Sequence, residues 1–187
     1  MNLLTTDEGE MALRLARSAI EYQIAKKPKP LFTLAPVFRE KRGIFVTLTK
    51  AGELRGCIGF PYPVMQLGDA IEDAAVAAAT GDPRFPPVHR DELASIRLEV
   101  TILTVPIPLE GEPGKRFEKV SVGRHGLIVR GRGMSGLLLP QVATEYGWDS
   151  MTFLDHTCIK AGLPAGCWTN ASIEILTFEG QIFTERI

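Results

Sequence analysis

The residues best suited to chemistry lie in Leu54-Arg55-Gly56-Cys57-Ile58-Gly59, where a cysteine sits between two glycines and two residues from an arginine. A thiol acts as a nucleophile when a base removes its proton. The base this sequence offers is His125, held between glycines in Gly123-Arg124-His125-Gly126. A nearby cation favours a thiolate and apolar burial disfavours it, and at Cys57 these influences oppose each other. A third segment, Asp82-Pro83-Arg84-Phe85-Pro86-Pro87, carries three prolines that forbid a helix or a central strand. Such a stiff loop can aim Arg84 and Asp82 into a pocket. The resulting expectation is a site with Cys57 and His125 as catalytic pair and with Arg55 and Arg84 holding an anionic substrate. Asp82 would orient one of the arginines. The competing reading makes Cys57 an inert packing thiol, residues 82–87 a rigid connector and His125 a turn residue.

The elements that must position these groups follow from periodicity. Residues 43–50 and 54–60 read as strands of a hairpin around Ala51-Gly52. A two-residue loop pairs Lys50 with Glu53, Leu48 with Arg55 and Val46 with Cys57. Ile44, Val46 and Leu48 then share a face with Arg55 and Cys57, while Leu54, Ile58 and Phe60 take the other. Both faces are apolar, so the strands are expected to be covered on both sides, and Arg55 then needs a carboxylate, carbonyls or an anion. Gly56 and Gly59 suggest a bulge or the close approach of another backbone.

Ahead of the hairpin, Thr5 and Glu8 form a capping-box pattern that opens a helix reaching residue 24. After it, an alanine-rich helix over residues 65–80 stops at Gly81. Residues 96–105 alternate as a half-exposed strand. A second hairpin pairs 127–130 with 137–139, Pro140 opens a short helix, and Asp149 caps another that ends at Gly162. Residues 172–178 and 182–183 are strand-like. Cys158 shares an apolar stripe with Leu154 and Ala161, which predicts a buried, unreactive thiol; Cys167 receives no role.

Composition excludes several classes. The chain has 187 residues, 45% hydrophobic and 23% charged, and a formal net charge of −1, which suits one domain or two small lobes and not a nonspecific nucleic-acid coat. The most basic stretch, 115–132, holds Lys115, Arg116, Lys119, Arg124, Arg130 and Arg132 against Glu118. It reads as solvated surface or as an anion-binding face. An RNA-binding module built on it remains an alternative, opposed by an aromatic content of 7%. No apolar run approaches the ~20 residues that span a membrane, and the acidic N-terminus is unlike a signal peptide, so a cytoplasmic protein is expected. Three cysteines, an odd number, fit a reducing compartment better than a disulfide framework. Cys57, Cys158 and Cys167 with His89, His125 or His156 lack zinc-site spacing. Nucleotide-loop and zinc-peptidase motifs are absent too. No cofactor and no metal is implied.

The motifs together resemble the AMMECR-type domain family, also called protein A of the AmmeMemoRadiSam set. The resemblance rests on Leu54-Arg55-Gly56-Cys57-Ile58-Gly59, the Asp82-Pro83-Arg84-Phe85-Pro86-Pro87-Val88 segment and Gly123-Arg124-His125-Gly126-Leu127-Ile128. Gly136-Leu137-Leu138-Leu139-Pro140-Gln141-Val142 and Cys158-x-Lys160-Ala161-Gly162-Leu163-Pro164 before Trp168 complete it. The order and spacing of these motifs span about residues 8–185. The resemblance implies an α+β fold of two interleaved sub-lobes within one domain over residues 1–187, each an antiparallel sheet with helices, and a cleft between them. Hairpin 43–60 and helix 65–80 would be central to one lobe. It also implies that the segment around Cys57 is the site, and that Memo-like and radical-SAM proteins share its pathway. It fixes no reaction. A small anionic molecule is the expected ligand, and a non-catalytic partner subunit of that pathway is the rival reading.

Overall fold

The computed structural model describes residues 3–186. In chain order these form α1 (Thr6–Ala25), β1 (Ile44–Lys50), β2 (Glu53–Phe60), α2 (Leu67–Thr80), β3 (Ile96–Leu103), β4 (Ile107–Pro108), β5 (Gly126–Gly131), β6 (Met134–Leu138), α3 (Pro140–Glu145), α4 (Ser150–Lys160), β7 (Glu174–Phe178) and β8 (Gly180–Thr184). Helices beside two four-stranded sheets, ordered β2-β1-β3-β8 and β4-β7-β5-β6, make the fold α+β. Among the described residues no helix is long and apolar enough to cross a membrane. The chain divides into two compact units, one holding the residues up to Thr104 and from Gln181 on, the other Val105–Gly180.

In the first unit α1 begins with the capping box that its sequence encodes. The Thr5 hydroxyl accepts the Glu8 N–H at 3.3 Å, and the Glu8 carboxylate accepts the Thr5 N–H at 2.7 Å. Along β1 the side chains alternate, so Ile44, Val46 and Leu48 are fully buried against the helices while Phe45, Thr47 and Thr49 are half-buried on the opposite face. Each large aliphatic side chain buried this way contributes about 1.5–3 kcal/mol. The α2 helix presents Ala70, Ala74, Ala75, Ala78 and Ala79 to the core. Small side chains let it lie close to its neighbours. Gly56 completes the fit, because a Cβ there would stand 2.1 Å from the Ala78 carbonyl oxygen.

The β1–β2 hairpin turns on Ala51 and Gly52, both in the left-handed region at φ 52° and 84°, as a two-residue turn that matches strand twist requires. Lys50 pairs with Glu53, but the ladder then shifts: Thr49 faces Leu54, Leu48 faces Gly56, Thr47 faces Cys57 and Val46 faces Ile58. The expected pairs Leu48–Arg55 and Val46–Cys57 are therefore each wrong by one residue. Arg55 is the extra residue of a bulge, drawn out of the ladder by partners described below. The slip also moves Cys57 onto the half-buried face with Thr47. The expected cover on both sides fails for β2 as well: it is an edge strand, with Leu54 43% exposed.

The second unit packs α4 through Phe153, Leu154 and Cys158 with Leu127, Val129 and Ile175 of its sheet. Gly136 admits the end of α4, since a Cβ would lie 2.3 Å from the Ala161 nitrogen. Gly162, at φ 79°, reverses the chain after α4, and the returning segment brings Cys167 to a Cα–Cα distance of 6.0 Å from Cys158, with which it forms a disulfide. Cys158 is fully buried but not a thiol, which corrects the reading of both cysteines.

Two substitutions test these packing statements. Gly56→Ala should destabilise the protein by about 1–3 kcal/mol or more, because a backbone carbonyl cannot step aside. Ala51→Asn should stabilise it by about 1 kcal/mol by relieving left-handed strain. Urea unfolding at neutral pH measures both; an unchanged midpoint for Gly56→Ala would contradict the close approach of β2 to α2.

Candidate functional site around Cys57

An edge strand leaves N–H and C=O groups without a neighbouring strand. At Cys57 the loop after α2 supplies what a strand would. The Asp82 carboxylate accepts the Cys57 N–H at 2.8 Å, and Arg84 Nη2 donates to the Cys57 carbonyl at 3.3 Å. The two side chains are joined to each other: Asp82 accepts from Arg84 Nε at 3.0 Å, from Nη2 at 2.7 Å and from the Arg84 backbone N–H at 3.0 Å. Asp82 is buried. The Arg84 hydrogen bond, aided by the N–H groups of Cys57 and Arg84, holds its carboxyl far below the ordinary range against the opposing effect of burial. Arg84 is raised, chiefly by Asp82 and to a smaller extent by the charge that Cys57 can carry. Its side chain is 54% exposed, and Nη1 makes no hydrogen bond among the described residues.

The Cys57 thiol lies on the half-buried face, 3.2 Å from the Thr47 hydroxyl. It is the one free cysteine of the chain.

Arg55 leaves the ladder to face the far end of the same loop. Nε and Nη2 form a two-point pair with Glu92 at 3.1 and 3.0 Å, Nη1 donates to the Pro86 carbonyl at 2.9 Å, and Nη2 reaches the Pro87 carbonyl at 3.4 Å. Glu92 also accepts Lys50 Nζ at 2.9 Å and the His89 N–H at 2.9 Å. Arg55 above all holds the Glu92 carboxyl well below its usual range. The guanidinium is thus occupied by protein groups, whereas that of Arg84 keeps one nitrogen open.

Arg55, Cys57, Asp82 and Arg84 come together in the first unit. His125 belongs to the second, where its Nδ1 accepts the Ser121 N–H at 3.1 Å and its Nε2 stands 4.0 Å from Glu179. A neutral imidazole with Nδ1 accepting carries its proton on Nε2, so this arrangement leaves no free lone pair for a base. Burial pushes its pKa down. The basic stretch around it is largely engaged. Lys115 pairs with Glu112, Arg124 with Glu179 and Arg130 with Glu174, while Lys119 donates to the Glu110 carbonyl. Arg116, expected on a solvated or anion-binding face, is buried and donates to the carbonyls of Trp168, Asn170 and Ile173. Among the described residues no three His, Cys, Asp or Glu side chains are grouped to hold a metal.

Sequence reasoning missed Thr47 and Glu92. Thr47 becomes a neighbour of the thiol only once the bulge sets the register. For Glu92 the one signal was the demand of Arg55 for a counter-charge, which any of several acids could have met.

Thiol counting checks the cysteine assignment: native and urea-unfolded protein should each show one reactive thiol with Ellman's reagent, rising to three after reduction. Three thiols before reduction would remove the disulfide. Acid titration checks the two carboxylates. Asp82 and Glu92 have folded values below the unfolded ones, about 3.9 and 4.3, so the folded chain binds fewer protons than the unfolded one. Their contribution is complete above those values and is lost as pH falls through the depressed folded ones. The urea midpoint should fall below about pH 4. An Asp82→Asn, Glu92→Gln variant should begin lower at pH 7 and fall less steeply. A variant as steep as the wild type would place the acid sensitivity elsewhere.

The chain is similar to known proteins in sequence and in fold. Protein Mbar_A1807 of Methanosarcina barkeri is 53% identical over 98% of this chain and 93% of its own length, and protein MK0488 of Methanopyrus kandleri is 52% identical over 98% and 91%. The crystal structure of the uncharacterized protein PH0010 from Pyrococcus horikoshii superposes with a TM-score of 0.79 at 45% identity, covering 98% of this chain and 94% of that one. The AMMECR1 family model matches residues 13–183. The chain therefore belongs to the AMMECR1 family.

Proposed function

We propose that the protein binds a small anionic molecule at β2, with the Cys57 thiol beside it as nucleophile and Arg84 as the group that holds the charge. The observation that carries this reading is the unequal use of the two arginines. Glu92 and two carbonyls occupy Arg55, whereas Arg84 is fixed along one edge by Asp82 and keeps Nη1 open and half its side chain exposed. A guanidinium pinned this way is pre-organised to receive a carboxylate or phosphate. Asp82 orients it, and Arg55 serves the site by fixing the loop. Thr47, in contact with the sulfur, is the nearest hydroxyl able to exchange a hydrogen bond with it.

A second reading is favoured by the same clamp. Asp82 and Arg84 close the open edge at Cys57, which is sufficient reason for both residues in a non-catalytic partner subunit of a Memo-like and radical-SAM pathway. The readings separate by alkylation with two reagents of similar size. Iodoacetate carries a negative charge and iodoacetamide does not, and Cys57 is the one free thiol. On the ligand-site reading the iodoacetate-to-iodoacetamide rate ratio should fall about three- to tenfold in Arg84→Ala, the loss of steering by one partly screened charge. Arg84→Lys should retain most of the ratio, and inorganic phosphate should slow iodoacetate selectively. Equal ratios in wild type and Arg84→Ala, or no labelling of Cys57, would sink the ligand site and leave the clamp as architecture.

A further inference from the structure

The first unit contains a large cavity at the end of its sheet away from Cys57. Its volume is about 960 Å³, the size of sites that enclose a cofactor-sized molecule. It lies between α1, the proline-rich segment that follows it, and β8 with the residues after it. The strand order β2-β1-β3-β8 sets β8 three strand spacings from β2, about 14 Å, so the cavity is separate from the proposed thiol site.

Its floor is built. Phe183 of β8 lies on α1 at Gly9, where a Cβ would stand 2.1 Å from the ring. A glycine inside a helix costs about 1 kcal/mol relative to alanine, and here it is what lets the aromatic ring seat. Leu13 and Phe32 extend the apolar surface. The charges around it are not balanced by pairing. Arg17 is bound to Glu185 and to the carbonyls of Leu93 and Ile96, and Lys27 pairs with Glu21 at 3.1 Å. Arg14 and Arg186, both exposed, line the same cavity and have no partner among the described residues. Glu10, also in the lining, is the one acid there without a partner among the described residues, since Glu185 and Glu21 are paired. Two open guanidinium groups thus face one open carboxylate beside an aromatic floor.

We infer that this cavity is a binding site for an amphipathic anion: a flat apolar body seated on Phe183, Leu13 and Phe32, carrying a carboxylate, sulfonate or phosphate directed to Arg14. The fluorescent naphthalene sulfonate 1,8-ANS has this chemistry, and N-phenyl-1-naphthylamine offers the same rings without the charge. The native protein should bind 1,8-ANS saturably with one site. Arg14→Glu, on the exposed side of α1, should weaken 1,8-ANS about tenfold and change the uncharged probe less than twofold. Glu10→Trp, which fills the mouth from another exposed position, should weaken both. Thermal unfolding like that of the wild type verifies that the variants are folded. The inference is overturned if the wild type shows no saturable binding. It is also overturned if Arg14→Glu leaves 1,8-ANS unchanged, if it weakens the two probes equally, or if Glu10→Trp affects neither.

Discussion

The first unit depends on how it closes the open edge of its sheet at Cys57. The outward N–H and C=O of an edge residue are usually left to water, covered by another strand, or screened by charge and bulges. Here one carboxylate and one guanidinium, two residues apart on a proline-stiffened loop, accept and donate as a neighbouring strand would. The arrangement is self-consistent because the partners satisfy each other. Asp82, buried, could not remain charged without Arg84 and the two N–H groups. Arg84, exposed, would lose its direction without Asp82.

That closure works only if the loop comes down at the right place, and a second tie ensures it. Bulging Arg55 out of the β1–β2 ladder forgoes regular pairing at one position but carries the guanidinium to the carbonyls of Pro86 and Pro87 and to Glu92. The loop is thereby fastened to β2 at both ends. The tight contact of Gly56 with Ala78 sets how far α2, from which the loop springs, stands from the strand. Bulge, glycine and clamp are parts of one geometric solution, so a change at any of them is felt at Cys57.

Local signals were legible in the sequence and tertiary ones were not. The capping box at Thr5 and the turn at Ala51-Gly52 could be read because the groups that satisfy them lie within a few residues. The bulge at Arg55 could not, because its partners are 31 to 37 residues away; uniform alternation then placed Cys57 opposite Val46 instead of Thr47. The prolines of residues 82–87 marked a stiff loop able to present Asp82 and Arg84, but nothing local named a backbone peptide as their target. Arg116 looked solvated for a similar reason: a basic run carries no mark of the one member that three distant carbonyls will bury. The disulfide followed from the reversal at Gly162, which an odd cysteine count obscured.

The charges of the network around Cys57 do not cancel. Lys50, Arg55 and Arg84 are bonded into it with only two carboxylates, Asp82 and Glu92. Glu92 answers Lys50 and Arg55 together, and its neighbours leave it little capacity to accept more. Asp82 answers Arg84 but is also bound to the backbone of Cys57. One positive charge is therefore left over beside Glu92, where the Lys50 side chain is 44% exposed to water; the Asp82–Arg84 pair balances itself and leaves the Nη1 side of Arg84 unbonded. A guanidinium is too weak an acid to lose its proton, so Arg84 keeps its charge and the two N–H donors of Nη1. Nη2 is committed to Asp82 and to the Cys57 carbonyl, so the parallel pair of N–H groups that grips a carboxylate at two points is not free, and Nη1 alone is open to an oxyanion. On the reading proposed above, an oxyanion meets Arg84 through this one nitrogen, whose direction Asp82 fixes.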